Sequence, residues 1–196
     1  MKYSRIGLTC LCLALLCPIR TAQADSWAAA GEITVQSGNG LYHARIIPGA
    51  SWGDTWGFSG AQRGKYARAV LGGPGIRDRL TFTLLNPIAP VDAVLLDDGS
   101  LMTFDNWHNM GYGKVVVLYD RTGQVVWSHE LEDVFSEDLL RSIPHSVSSR
   151  WWRKSPLEWA LEGETSSTRI VVVTLWDGRQ LKLHLSNGRP DLIGAP

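Results

Sequence analysis

Short runs of β-branched, aliphatic and aromatic residues alternate with glycine-containing turns along most of the chain. Residues 41–47, 66–71, 80–85, 91–96, 100–104, 115–119, 124–131, 169–176 and 180–185 have the length and composition of strands. Asn39-Gly40, Asp98-Gly99, Asp177-Gly178 and Asn187-Gly188 punctuate them, and these dipeptides accept the positive φ that tight hairpins need. Residues 120–123 have the pattern of a type I turn closed by a glycine bulge at Gly123. Within 124–131, Val125, Trp127, His129 and Leu131 share the inward face, while Val126, Ser128 and Glu130 share the other. Leu181, Leu183 and Leu185 alternate in the same way with Gln180, Lys182 and His184. Val115 to Leu118 are apolar on both faces, as a central strand requires. One short helix is expected to follow the strand ending near Leu131. Ser136 is its N-cap, Glu137 and Asp138 its first-turn acids, Leu139, Leu140 and Ile143 its apolar stripe, and Pro144 its stop.

A loose repeat organises the strands. Ser37-Gly38-Asn39-Gly40 and Asp97-Asp98-Gly99 each join two strand-like runs, with Gly40 and Gly99 separated by 59 positions. A lysine-led apolar run follows each, at 65–70 and 114–119, and residues 169–185 form half of a third unit. The pattern predicts a mainly β protein, an antiparallel meander of about two and a half blade-like hairpin units with one short helix. A sandwich, a partial barrel and a small propeller-like arrangement all accommodate it.

The first residues break the pattern. Lys2 and Arg5 precede an uncharged apolar run at 6–18, and Ala22-Gln23-Ala24 is a small-x-small cleavage sequence. These features predict a signal peptide over residues 1–24 and an exported product, periplasmic or extracellular, built as a single β-rich domain over 25–196. Ala14-Leu15-Leu16 before Cys17 is a poor lipobox, so no lipid anchor is expected. No stretch reaches the ~20 apolar residues of a transmembrane helix. Cys10, Cys12 and Cys17 all fall in the leader, so the remaining 172 residues exclude disulfides, thiolate metal ligands and a cysteine nucleophile. The chain carries 19 basic and 19 acidic residues, and loss of Lys2, Arg5 and Arg20 leaves a net charge of −3. That balance argues against nucleic acid as a partner.

Candidate chemistry concentrates in two loops. Residues 105–113 occupy a connection for which a bare hairpin needs only about two to five residues. Asp105, Asn106, Trp107, His108 and Tyr112 within it are candidate ligand-binding residues. A plain long hairpin would use the same side chains differently, with Trp107 and Tyr112 covering the core edge and Asp105 and Asn106 capping the turn. The second loop follows the helix and offers His145, Ser146, Arg150, Trp151 and Trp152, types that stack on and hydrogen-bond a sugar or an anion. It also suits a strap fixed by one buried tryptophan, with Arg150 or Arg153 paired to surface acids. A third, glycine-rich stretch at 51–60 carries Trp52 and Trp56. The expected site forms where 105–113 and 145–152 meet at one rim.

The alternative is a hydrolase or metal-assisted enzyme using His108, His145 and Asp105. No Gly-x-Ser-x-Gly, His-Glu-x-x-His or EF-hand spacing supports it, and Gly72-Gly73-Pro74-Gly75 puts proline where a phosphate loop needs N–H groups. No cofactor and no metal are implied. His129 reads as a hydrogen-bonded core histidine, His43 and His184 as solvent-exposed. A third possibility is an assembly component that offers an edge strand to a partner.

The segments Asp97-Asp98-Gly99, Asp105-Asn106-Trp107-His108, Gly111-Tyr112-Gly113 and Val115-Val116-Val117, with residues 144–149 after them, resemble a group of uncharacterised exported bacterial proteins with β-propeller-like repeats. The resemblance spans residues 91–152. It implies export and a β architecture, and brings no catalytic role. The sequence is thus expected to encode an exported binding or interaction module of the bacterial cell envelope, with a glycan or protein partner.

Overall fold

The computed structural model describes residues 28–50, 64–163, 165 and 168–194. The leader at 1–24 and the glycine-rich stretch at 51–60 lie outside the described residues. Twelve strands and two short helices form among them: β1 (Ile33–Gln36), β2 (His43–Ile47), β3 (Arg68–Gly72), β4 (Leu80–Thr83), β5 (Asp92–Leu95), β6 (Leu101–Phe104), β7 (Val116–Tyr119), β8 (Val125–His129), α1 (Leu131–Val134), α2 (Glu137–Ser142), β9 (Trp159–Glu162), β10 (Ile170–Thr174), β11 (Gln180–His184) and β12 (Pro190–Ile193). The strands make three four-stranded antiparallel sheets, each in simple sequential order: β1 to β4, β5 to β8 and β9 to β12. Three complete blade-like units therefore replace the expected two and a half.

The inner strands of the middle sheet, β6 and β7, are buried on both faces. Leu101 and Thr103 of β6 lie opposite Tyr119 and Val117 of β7. Leu101, Val117 and Tyr119 join Ala44, Ile46, Ala69 and Leu71 of the first sheet in one core. Met102, Phe104, Val116 and Leu118 face the other way and pack with Val171, Val173, Leu181 and Leu183 of the third sheet, and with Leu131, Leu139 and Ile143 from the helical region. Apolar residues on both faces of β7 fit this position. The outer sheets turn polar sides outward. His43 and Arg45 are exposed between buried Ala44 and Ile46, and Gln180, Lys182 and His184 alternate with buried Leu181, Leu183 and Leu185. Polar outer faces end such a stack.

Hydrogen bonds reinforce both junctions. Asn39 donates its backbone N–H to the Asp97 carboxylate at 2.7 Å, and Leu85 N–H donates to the Tyr119 hydroxyl at 2.7 Å. Burial pushes the Tyr119 phenol up to about 12. Trp127 Nε1 donates to Leu185 O, Arg169 pairs with Asp98, and His129 Nε2 meets Gly188 O at 2.6 Å, in keeping with a hydrogen-bonded histidine. His43 is exposed as expected, whereas His184 is half-buried and contacts Asp191 at 2.8 Å.

Two expectations are corrected. Val125 is exposed, because the β7–β8 register shifts between Leu118 and Tyr119 and leaves Val126 as an extra residue. A bulge of this kind breaks the two-residue period behind the inward assignment of Val125. The region after β8 holds two helices instead of one: Leu131 opens α1, where Glu130 N–H donates to Asp133, and Ser136 caps α2 through Leu139 N–H as expected.

Candidate functional site

The loops at 105–113 and 145–152 are neighbours. Arg150 N–H donates to Met110 O at 2.8 Å, and Asn109 Nδ2 donates to Ser148 O at 3.2 Å. Gly111 permits this approach. Its φ is +78°, and a Cβ there would lie 2.5 Å from the Arg150 carbonyl oxygen, so no larger residue fits unchanged.

Behind the contact sits a buried polar clasp centred on Asp105. One carboxylate oxygen accepts from Trp152 Nε1 at 2.7 Å and from Gly111 N–H at 2.9 Å. The other accepts from Arg153 Nε at 2.8 Å. Arg153, also fully buried, donates through Nη2 to Asp92 at 2.7 Å and through Nη1 to Lys154 O at 3.1 Å. Asp105 carries an unusual φ of +59°, which aspartate tolerates better than most residues. Burial pushes its carboxyl upward, while the Arg153 charge and the Trp152 and Gly111 donors pull it down. On the first-sheet side, Asn86 Nδ2 donates to Asp105 O at 2.8 Å and to Asn106 Oδ1 at 3.0 Å. The clasp therefore ties all three sheets together around Asp105, the third sheet through its carboxylate and the first through its backbone carbonyl.

In front of the clasp lies an open groove of about 550 Å³ between the first and second sheets. Tyr66, Leu85 and Pro87 form one wall; Asn106, Asn109, Tyr112 and Lys114, with Glu130, Glu132 and Arg150, form the other. The Arg150 guanidinium lies 4.4 Å from the centre of the Tyr112 ring and pairs with Glu132 at 2.6 Å. Lys114 pairs with Glu130 at 3.0 Å. The groove thus offers two aromatic rings and two internally neutralised ion pairs, while the buried amides of Asn106 and Asn109 bond within the protein, to Asn86 and Tyr112 O and to Ser148 O, so its charge balance suits an uncharged molecule.

The expected site residues divide accordingly. Asn106, Tyr112 and Arg150 line the groove. Asp105 and Trp152 are wholly buried, which corrects their assignment as ligand contacts: they support the wall from behind. His108 is buried, and burial holds its imidazole below the ordinary value. Trp107 packs over the start of the described chain, donating to Ala28 O at 3.0 Å. Neither residue is part of the groove lining. His145 and Ser146 belong to an exposed turn, with His145 Nδ1 at 3.1 Å from Ile143 O and Ser146 Oγ accepting from Ser148 N–H. Trp151 is half exposed beside that turn, outside the groove lining.

Both Asp105 oxygens are engaged inside the protein, and among the described residues no three His, Cys, Asp or Glu side chains converge to hold a metal. Sequence reasoning missed Tyr66, Leu85, Pro87, Lys114, Glu130 and Glu132, which reach the groove from other strands, and it placed Arg153 among surface pairs. The Asn86-Pro87 step and the lysine at the head of 114–119 were the available signals.

The sequence matches no protein-family model and no curated protein. The crystal structure of HIRA(644-1017) is a distant match, with 13% sequence identity and a TM-score of 0.29 over 85% of this chain and 54% of that one. This chain therefore spans about half the length of that structure.

Proposed function

We propose that this protein is an exported binding module of the bacterial cell envelope, and that the groove between the first and second sheets seats a glycan. The observation that carries the reading is the Tyr112–Arg150–Glu132 wall facing Tyr66 across an open groove. Sugar rings present an apolar face that stacks on tyrosine and a hydroxyl rim that bonds to paired charges. Arg150, held by Glu132 and by the ring beneath it, is pre-organised, so little side-chain entropy is lost on binding. The clasp behind the wall keeps the two loops in register, and its engagement of Asp105 leaves a binding role better supported than a catalytic one. Export rests on the leader sequence at 1–24.

The test is calorimetric titration of the purified exported form with soluble cell-wall and capsular oligosaccharides. At least one glycan should bind saturably, and Tyr112→Ala and Tyr66→Ala should each weaken it. A panel without binding, or binding unaffected by both substitutions, rejects the groove. N-terminal sequencing of the exported form should begin at Asp25.

A further inference from the structure

β9 is the least covered strand of the fold. All four residues are exposed, and Trp159 and Leu161 leave 42% and 38% of their surface open. It pairs with β10 on one side and with no strand on the other among the described residues. Thr174 N–H donates to Glu158 O at 3.0 Å. Antiparallel alternation then directs the N–H and C=O groups of Ala160 and Glu162 toward β10, and those of Trp159 and Leu161 toward the open side.

Other edges carry protection that β9 lacks. β8 is bulged, β12 begins at Pro190, and β1 and β5 pack beside each other. An open, apolar edge of this kind is a template for another strand.

The side-chain pattern selects the occupant. Trp159 and Leu161 share one face; Glu158, Ala160 and Glu162 share the other. A second copy, paired so that Trp159 meets Leu161, would set Glu158 twice against Glu162, whose nearby cation, Lys182 at 2.6 Å, is already engaged, so Glu158 gains no counter-charge there. A strand with two alternate apolar residues flanked by Lys or Arg packs its apolar pair on Trp159 and Leu161 and sets a cation opposite Glu158; Glu162 already pairs with Lys182, so Glu158 carries the charge selection. We propose that β9 accepts, by strand addition, an extended basic–apolar peptide segment of a partner protein. This site is separate from the groove, since no β9 residue lines it.

The probe is the blocked pentapeptide Arg-Val-Thr-Val-Arg, titrated into the full exported chain beside Glu-Val-Thr-Val-Glu. The basic peptide should perturb tryptophan fluorescence saturably and protect the Trp159 and Leu161 amides from hydrogen exchange. Added salt should weaken it, and the acidic peptide should bind at least about tenfold less tightly. Leu161→Pro removes an outward-facing N–H without breaking the β9–β10 ladder, so it should abolish binding while leaving the melting transition in place. Amide protection in the unsubstituted chain decides the matter if that variant does not fold. Four results overturn the proposal: equal affinity for both peptides, no saturable binding, protection elsewhere than β9, or dimerisation through β9 that excludes the peptide.

Discussion

Replacing Arg153 by methionine removes the cation at the centre of the clasp while keeping much of its volume. The side chains of Arg153 and Asp105 are both fully buried, so the change leaves a carboxylate without water or counter-charge, held only by Trp152 and Gly111. Breaking a buried pair from one side costs about 3–5 kcal/mol. A domain of this size loses about 2–4 °C for each kcal/mol, so Tm should fall by about 6–20 °C. Urea titration and thermal melting, both followed by tryptophan fluorescence, measure the two quantities. Adding Asp105→Asn should recover part of the loss, because a neutral amide oxygen still accepts from Trp152 and Gly111 and no buried charge remains. Lowering the pH should narrow the deficit of Arg153→Met in the same way, since burial pushes the Asp105 carboxyl upward and favours its protonation. A loss below about 1 kcal/mol, or a double variant whose losses simply add, refutes the clasp.

Gly111→Ala should cost more than about 1 kcal/mol, because the new Cβ meets the Arg150 carbonyl and the backbone there is left-handed. Its melting curve and its hydrogen exchange across 145–152 check this; an unchanged Tm contradicts it. His108 titrates below its ordinary 6.5 because of burial, so its contribution to stability is present above that pH and is lost as the pH falls through the folded value. His108→Asn, which suits the φ of +75° at this position, should flatten the fall in Tm between about pH 7 and pH 5. An unaltered slope in the variant removes His108 from the acid response.

The hairpin skeleton was legible because its signals are local. Asn39-Gly40, Asp98-Gly99, Asp177-Gly178 and Asn187-Gly188 all contain a glycine at positive φ, and Asp120 closes its turn by accepting from Thr122 and Gln124. The third unit was half hidden because β9 is short and exposed and β12 starts at a proline, so neither shows an inward face. The meeting of 105–113 with 145–152 was anticipated from their composition alone. The destination of Asp105 was not. Its burial depends on Arg153, 48 residues away, and an acid bound for the interior reads in sequence like one bound for solvent. Tyr66, Leu85 and Pro87 were invisible for a similar reason: they join the groove only once the first and second sheets pack face to face.

The glycan reading meets its most direct test in amide chemical-shift mapping of the labelled protein during titration with soluble cell-wall oligosaccharides. Perturbations should be confined to Tyr66, Asn109, Tyr112, Lys114 and Arg150, and should saturate with a single affinity. Shifts that gather on another surface, or none at any attainable concentration, contradict a ligand seat built where the two loops join.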